Sequence, residues 1–157
     1  SMSPMNAFLL LQGIETLSLR MDRHLSNTKE ILQYLDSHEQ VSWVNHPDMP
    51  DHNSHNIAKK YMPKGAGSII TFGVKGGRDA GQAFIENVKL ASHLANVGDA
   101  KTLIIHPATT THSRIDAKAL VAAGITEDMI RISVGIENVT DITQDFNNGF
   151  RAAKKFI

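Results

Sequence analysis

Three short polar clusters lie between Asn96 and Glu137, each set against an apolar, strand-like run. They are Asn96-Val97-Gly98-Asp99, His106-Pro107-Ala108-Thr109-Thr110-Thr111-His112, and Arg131-Ile132-Ser133-Val134-Gly135-Ile136-Glu137. Polar loops at strand ends are where small-molecule sites are assembled, because the sheet holds the side chains while the loops face solvent. Within this stretch there is no nucleophile and base pair, no metal cluster and no phosphate-binding loop. It reads as part of a site whose bond-making chemistry lies elsewhere.

Other segments imitate functional motifs. Ser26-Asn27-Thr28-Lys29 has the form of the Ser-x-Thr-Lys motif that carries the Schiff-base lysine of some pyridoxal phosphate enzymes. Lys29, however, is followed by Glu30-Ile31-Leu32-Gln33, which continues an amphipathic helical period. A cofactor lysine belongs on a loop beside a pocket that desolvates it, so Lys29 reads as a solvated helix-face residue. His52 and His55 could share a helical face toward a metal, but no third ligand stands at a fixed spacing, and polar residues at a helix start explain them. Gly65-Ala66-Gly67 precedes a strand, whereas dinucleotide-binding glycines follow a strand and open a helix. Both this pair and Gly76-Gly77 read as turns.

The 157 residues fit one domain with a real core, and their apolar and charged fractions are those of an ordinary globular protein. Sixteen basic and sixteen acidic residues cancel, so no polyanionic partner, nucleic acid or polybasic membrane contact is suggested. There is no cysteine, which removes disulfides, thiolate catalysis and cysteine-ligated metals and is compatible with a reducing compartment. No basic flank precedes an apolar segment near the N-terminus. The longest apolar run, Ala7–Leu11, is far short of the ~20 residues of a membrane span. A cytoplasmic protein is expected.

Ser1-Met2 reads as a cloning remnant ahead of a natural sequence that starts in the middle of something longer. Ser3-Pro4 is a good helix start. The following helix, to Leu35, carries Leu10, Ile14, Leu17, Met21, Leu25, Leu32 and Leu35 as one apolar stripe broken at Thr28. Unbroken, it would run roughly 48 Å at ~1.5 Å per residue, awkward for a domain whose radius of gyration is roughly 15 Å. Either it kinks, with Gly13 a weak point, or its first turns pack on something outside this chain. Strands are expected at Val41–Val44, Ser68–Val74, Leu90–Leu94, Thr102–Ile105 and Met129–Val134. In the last, Ile130, Ile132 and Val134 share one face and Arg131 and Ser133 the other. Helices are expected near Ile57–Tyr61, over Asp79–Val88 and over Asp116–Ala123, the last stopped by Gly124. A terminal helix follows, capped by Asn138 with Asp141 as a capping-box-like partner and buried through Val139, Ile142, Phe146, Phe150 and Ala153. The pattern argues for an α/β sandwich of α+β type, one sheet covered by helices on one face.

Several long segments, in one order, carry a resemblance. They are Ser3-Pro4-Met5-Asn6-Ala7-Phe8-Leu9-Leu10-Leu11-Gln12-Gly13 with Glu15-Thr16-Leu17, then Ala58-Lys59-Lys60-Tyr61, then Pro63-Lys64-Gly65-Ala66-Gly67, and the three clusters above. From Ser3 to Ile157 the chain resembles the C-terminal domain of the Cys/Met-metabolism pyridoxal phosphate enzymes, and within them the O-acetylhomoserine sulfhydrylases. The resemblance implies a fold type I enzyme whose large cofactor domain lies upstream. It also implies a small domain with a largely antiparallel sheet, helices on one side and a long N-terminal helix leading between the domains.

By the same resemblance, Arg131 matches the arginine that grips the substrate α-carboxylate. A guanidinium is always charged and offers a planar, bidentate fork that fixes an amino acid in one orientation. Asn96 stands where many relatives have the serine of a Ser-Leu-Gly segment that helps hold that carboxylate; an amide can still donate and accept. Thr111 matches a threonine near the active site, or serves its own loop. His106 and His112 read as structural loop residues or as functional ones. The Schiff-base lysine and the other residues that hold pyridoxal phosphate belong to the absent domain, so neither catalytic nor cofactor-binding nor metal-ligating residues are expected here. The implied longer protein is a homotetramer that replaces the acetate of O-acetyl-L-homoserine with sulfide or methanethiol. Cystathionine γ-synthase or methionine γ-lyase chemistry, and a free-standing binding module, are the alternatives. A reading frame upstream holding a Ser-x-Thr-Lys motif would separate enzyme from module.

Overall fold

The computed structural model describes residues 2–157, with only the backbone of Ala117; Ser1, half of the expected cloning remnant, lies outside the described residues. Ser3 caps the first helix, its hydroxyl accepting from Asn6 N at 3.2 Å, and Pro4 occupies the first turn. The single helix expected from the apolar stripe is two, α1 (Pro4–Glu15) and α2 (Leu17–Asp36), parted at Thr16 with φ −106° and ψ 8°. The break falls just beyond Gly13, and Arg20 stabilises it. Its guanidinium donates to the Gly13 carbonyl at 2.8 Å and to the Thr16 hydroxyl, taking up a backbone acceptor that the interrupted ladder frees.

The buried face of α2 also corrects the expected stripe. It runs His24, Asn27, Thr28, Ile31, Leu32 and Leu35, whereas Leu10, Ile14 and Leu17 are exposed. Thr28 does not interrupt this face: its hydroxyl donates to the His24 carbonyl at 2.7 Å and so is satisfied within the helix.

The strands are β1 (Val41–Asn45), β2 (Ile69–Val74), β3 (Ser92–His93), β4 (Leu103–Ile105) and β5 (Met129–Ser133). They form one sheet in the order β1-β2-β5-β4-β3. All neighbours are antiparallel except β3 and β4, which run parallel. The strand expected over Leu90–Leu94 shortens to two residues, because the preceding amides are taken by a side chain. Lys89 N, Leu90 N and Ala91 N donate to the carboxylate of Asp145 at 2.7, 2.9 and 3.0 Å. Asp145 is 5% exposed and sits in the last helix.

The register places Ile70 beside Ile132 and Phe72 beside Ile130, with Ile104 beside Ile132 on the other flank. This row is the sheet's half of the core. Against it pack Ile31 and Leu35 of α2, Phe84 of α4 (Gly77–Asn87), and Phe146 and Phe150 of α6 (Val139–Ala153). Phe84 meets Phe72, Phe146 and Phe150 at ring-centroid distances of 5.8, 5.9 and 4.7 Å. Each such ring removed from water contributes about 1.5–3 kcal/mol. Gly149 lets α6 approach, since a Cβ there would meet the Phe84 ring at 2.7 Å. Asn138 caps α6 by accepting from Thr140 N at 3.0 Å, but Asp141 makes no return bond from its side chain, so the box is half formed.

The remaining helices are short: α3 (His55–Tyr61) and α5 (Ala117–Ala122), the latter capped by Asp116, which accepts from Ala119 N at 2.9 Å. Gly65 and Gly67, at φ +136° and +96°, make the turn that leads into β2 rather than a phosphate loop. No described helix is long and apolar enough to cross a membrane.

Candidate functional site

The face of the sheet away from α2, α4 and α6 carries Arg131. Its strand neighbours are Thr71 on β2 and Ile105 on β4. The alternation of β5 thus sends Ile130 and Ile132 into the core and leaves Arg131 half-buried on the opposite face, where Ser133 and Ile105 are buried. From there the guanidinium reaches over the β4 side and donates through Nη2 to the Asn96 carbonyl at 3.4 Å. Arg131 and Asn96, singled out from sequence, are therefore brought together, but through the main chain. The Asn96 side chain serves its own loop, Oδ1 accepting from Val97 N at 2.8 Å.

Among the described residues the ion pairs are His46–Asp48 and Arg78–Glu127, so Arg131 has no carboxylate partner within the chain. Of the five N–H donors of a guanidinium, one is engaged by a carbonyl. A permanent cation held on a strand with spare, coplanar donors can receive an external carboxylate.

The frame around it is built by Asp99, Gly135 and Glu137 of the same clusters together with Thr102, His24 and Asn27, which sequence reasoning did not assign to the site. The Glu137 carboxylate accepts from Thr102 N at 2.6 Å and Thr102 Oγ1 at 2.8 Å, while Gly135 N donates back to Thr102 Oγ1 at 2.9 Å. Ile136 N bonds the Ala100 carbonyl at 2.9 Å, and the Asp99 side chain accepts from Lys101 N at 2.9 Å. The segment after β5 is thereby latched to the segment that begins at Asn96. From α2, Asn27 donates to the Gly135 and Glu137 carbonyls at 3.0 and 2.8 Å, and His24 Nδ1 lies 2.6 Å from the Val134 carbonyl. The signal for His24 and Asn27 was present in the helical spacing of residues 24, 27, 28, 31 and 35; their polar identities concealed it.

Thr111 is exposed, and its hydroxyl lies 2.8 Å from His112 Nδ1. No hydrogen bond joins it to Arg131 or Asn96 among the described residues. Its loop follows β4, whose last residue flanks Arg131, so it leaves the sheet close to the site without touching the guanidinium.

His106 anchors that loop. It is fully buried, with Nδ1 at 2.8 Å from Thr109 Oγ1 and Nε2 at 2.7 Å from the Glu127 carbonyl. A carbonyl can only accept, so Nε2 carries the proton and Nδ1 accepts from the threonine: the neutral ring fits. Burial pushes its pKa below the ordinary 6.5, more than the Glu127 carbonyl and the nearby carboxylates pull it back up. The unfolded chain therefore takes up this proton first as pH falls. Stability from His106 is complete above about 6.5 and is lost as the pH drops through that value toward the folded pKa. His46, also lowered chiefly by burial, adds in the same direction. We expect the unfolding temperature to decline from pH 7.5 to 5.5 and the His106 ring resonances to titrate below 6.5. A titration midpoint at or above 6.5 would contradict the buried neutral ring.

His52 and His55 have loop duties: His52 Nδ1 accepts from Ser54 N at 3.0 Å, and His55 Nδ1 lies 3.0 Å from the Pro47 carbonyl. Lys29 is exposed on α2, on the opposite side of the sheet from Arg131, while Asn27 and Thr28 of the same tetrapeptide are buried and hydrogen bonded. It borders a groove of about 800 Å³ between α2 and α3, lined by Leu25, Leu32, Met49, Lys59 and Pro63. This concavity is separate from Arg131. The Ser-x-Thr-Lys-like segment thus lies on a helix face, with its lysine in solvent and its asparagine and threonine engaged in structural hydrogen bonds.

The sheet, antiparallel except between β3 and β4, is covered by helices on one face and carries on the other Arg131, hydrogen bonded to a neighbouring loop. Residues 1–151 match the family of Cys/Met metabolism PLP-dependent enzymes, and the chain belongs to that family. It is 49% identical to the homocysteine synthase of Schizosaccharomyces pombe over 151 residues, which are 96% of this chain and 35% of that protein. Among solved structures it is similar to a Campylobacter jejuni protein described as an O-acetylhomoserine (thiol)-lyase, which carries N'-pyridoxyl-lysine-5'-monophosphate. There the TM-score is 0.86 at 38% identity, covering 96% of this chain and 36% of that one. The cystathionine gamma synthase of Xanthomonas oryzae, solved with cystathionine, gives a TM-score of 0.88 at 35% identity, covering 99% and 40%. The chain thus spans about a third of the length of the curated relatives it matches.

Proposed function

We propose that this chain is the C-terminal domain, residues 3–157, of a longer PLP-dependent sulfhydrylase. The longer protein replaces the γ-acetoxy group of O-acetyl-L-homoserine with sulfide, or with methanethiol, giving homocysteine, or methionine, and acetate. In that reaction a carbon–oxygen bond breaks and a carbon–sulfur bond forms at the same carbon. The observation that carries the reading is Arg131, half-buried on the sheet face opposite the helices, donating to the Asn96 carbonyl and paired with no carboxylate among the described residues.

The role of the chain is to hold substrate. Arg131 takes the α-carboxylate in a bidentate grip, Asn96 fixes the guanidinium through its carbonyl, and the loop of Thr111 borders the same place. The charge of the carboxylate is neutralised at one fixed position, so the amino group and the γ-carbon are aimed in one direction. Pyridoxal phosphate supplies the bond-breaking chemistry in such enzymes and is held by the N-terminal part of the longer protein. Alone, the chain is expected neither to bind the cofactor tightly nor to catalyse the reaction. We further infer a cytoplasmic homotetramer.

Identity among solved structures of 38% to an O-acetylhomoserine (thiol)-lyase against 35% to a cystathionine synthase, beside curated homocysteine synthase and sulfhydrylase relatives at 49%, favours sulfide over cysteine as the acceptor. Offering the longer enzyme sulfide and cysteine in competition tests this: homocysteine should dominate. Cystathionine as the main product would move the assignment to the synthase reading.

A further inference from the structure

The loop that carries Asn96 has little of its own to hold it in place. Leu94 to Gly98 are exposed, and the Asn96 and Asp99 side chains bond near neighbours, Val97 N and Lys101 N. Gly98, at φ +75°, has no atom of another segment within 4 Å of where a Cβ would stand. Yet the Asn96 carbonyl must keep its place to engage the Arg131 guanidinium.

The fastening lies at the end of the loop, against the continuation of β5. Thr102 is fully buried and stands at the crossing, its carbonyl accepting from Ser92 N at 3.0 Å. Its amide and hydroxyl donate to the two oxygens of the Glu137 carboxylate at 2.6 and 2.8 Å, and its hydroxyl oxygen accepts from Gly135 N at 2.9 Å. Every polar group of Thr102 is thus engaged, and Ile136 N adds a bond to the Ala100 carbonyl at 2.9 Å. The fit leaves no room at Gly135, where a Cβ would collide with the Glu137 carboxylate, Thr102 N and the Lys101 carbonyl carbon. Arg131 and Glu137 belong to one continuous segment, Asn96 and Thr102 to the other. Each bond from Glu137 to Thr102 therefore fixes the Asn96 carbonyl relative to Arg131.

We propose that Glu137 is a positioning residue for the substrate carboxylate: through Thr102 it holds the Asn96 loop against Arg131, so that the guanidinium is aimed before substrate arrives. Both oxygens of Glu137 are taken by Thr102, so it acts through the loop rather than on the substrate. A carboxylate suits this task, because hydrogen bonds to an ionised acceptor are shorter and stronger than neutral ones. The inference rests on the carboxylate grip assigned to Arg131 above and adds the group that keeps that grip in register.

The test uses the longer enzyme with O-acetyl-L-homoserine and its α-carboxamide, in Glu137→Ala, Glu137→Gln, Arg131→Ala and the Glu137→Ala/Arg131→Ala pair. Glu137→Ala should lower kcat/KM for the acid about tenfold, mostly through KM, which is within the coupling measured between residues of one hydrogen-bonded network. For the amide the change should stay within about twofold, the scatter expected of sites that do not interact, because the charge that Arg131 grips is absent. Glu137→Gln, which keeps an acceptor for Thr102 N, should recover most of the loss, and adding Glu137→Ala to Arg131→Ala should cost nothing further. Should the alanine variant not fold, Thr102→Val removes the hydroxyl shared by Glu137 and Gly135 and should show the same bias against the acid. An equal loss on both substrates, or a full loss that persists in the Arg131→Ala background, would reduce the latch to scaffolding and overturn the proposal. So would wild-type kinetics in Glu137→Ala beside a damaged Arg131→Ala, a result that leaves the grip standing. Wild-type kinetics in Arg131→Ala would remove the grip itself, and the latch with it.

Discussion

Replacing Arg131 with alanine in the longer enzyme is expected to lower kcat/KM for O-acetyl-L-homoserine by about 30- to 3,000-fold while leaving cofactor loading unchanged. Truncating one partner of a hydrogen-bonded charge pair costs about 2–5 kcal/mol, and each 1.4 kcal/mol is a factor of ten. The guanidinium lies on a rigid strand, flanked by Thr71 and Ile105 and held by the Asn96 carbonyl, so no neighbouring side chain replaces it. Arg131→Lys should fall between the two, because an ammonium keeps the charge but cannot present two parallel donors. Steady-state kinetics with cofactor absorbance read side by side make the check. Unchanged kinetics would make Arg131 a surface residue and the site assignment wrong.

The largest effect on stability is expected at Asp145. Its carboxylate receives three consecutive backbone amides, from Lys89, Leu90 and Ala91, and is 5% exposed. Asp145→Ala strands those donors beside a small void. Hydrogen bonds to charged groups contribute about 1.5–3 kcal/mol each, and water can recover part of what is lost at the partly buried ones. A destabilisation of about 3–5 kcal/mol follows, a large share of the 5–15 kcal/mol that holds a typical domain together. Asp145→Asn, which keeps an acceptor without the charge, should lose roughly half as much. Urea unfolding of the three chains measures this, and a loss below about 1 kcal/mol for the alanine variant would contradict the clamp. The clamp also bears on the site, because it fixes the entry to β3, which leads directly to Asn96.

The contrast between Asp145 and Arg131 shows which parts of the molecule were legible from the chain alone. Alternation along Met129–Val134 put Arg131 on the face opposite the core before any coordinates, and the caps at Ser3 and Asn138 were readable because a cap is a local device. One sheet covered by helices on one face followed from the order of elements, whereas its largely antiparallel character came from the family resemblance. Asp145 was not legible: it lies in a helix, amid an amphipathic pattern, and its partners are more than fifty positions away. His24 and Asn27 were hidden for the same reason, since the carbonyls they engage belong to residues 134–137. The apolar stripe through Leu10, Ile14 and Leu17 was read as kinked or as packed on something outside this chain, and the structure both breaks the helix and leaves these side chains exposed, because hydrophobicity marks what is to be covered without saying by whom. At Thr16 the helix breaks where the periodicity runs on, the Arg20 side chain serving the Gly13 carbonyl in place of the ladder.

The most direct test of the carboxylate grip uses the longer enzyme and two substrates, O-acetyl-L-homoserine and its α-carboxamide, with Arg131 intact or replaced by alanine. In the intact enzyme the acid should be preferred by two or more orders of magnitude, on the order of the free energy of a charge-assisted pair. In Arg131→Ala that preference should collapse toward unity, because the group that distinguishes carboxylate from amide is gone. An acid-to-amide ratio that survives the substitution would contradict the account and place the carboxylate elsewhere.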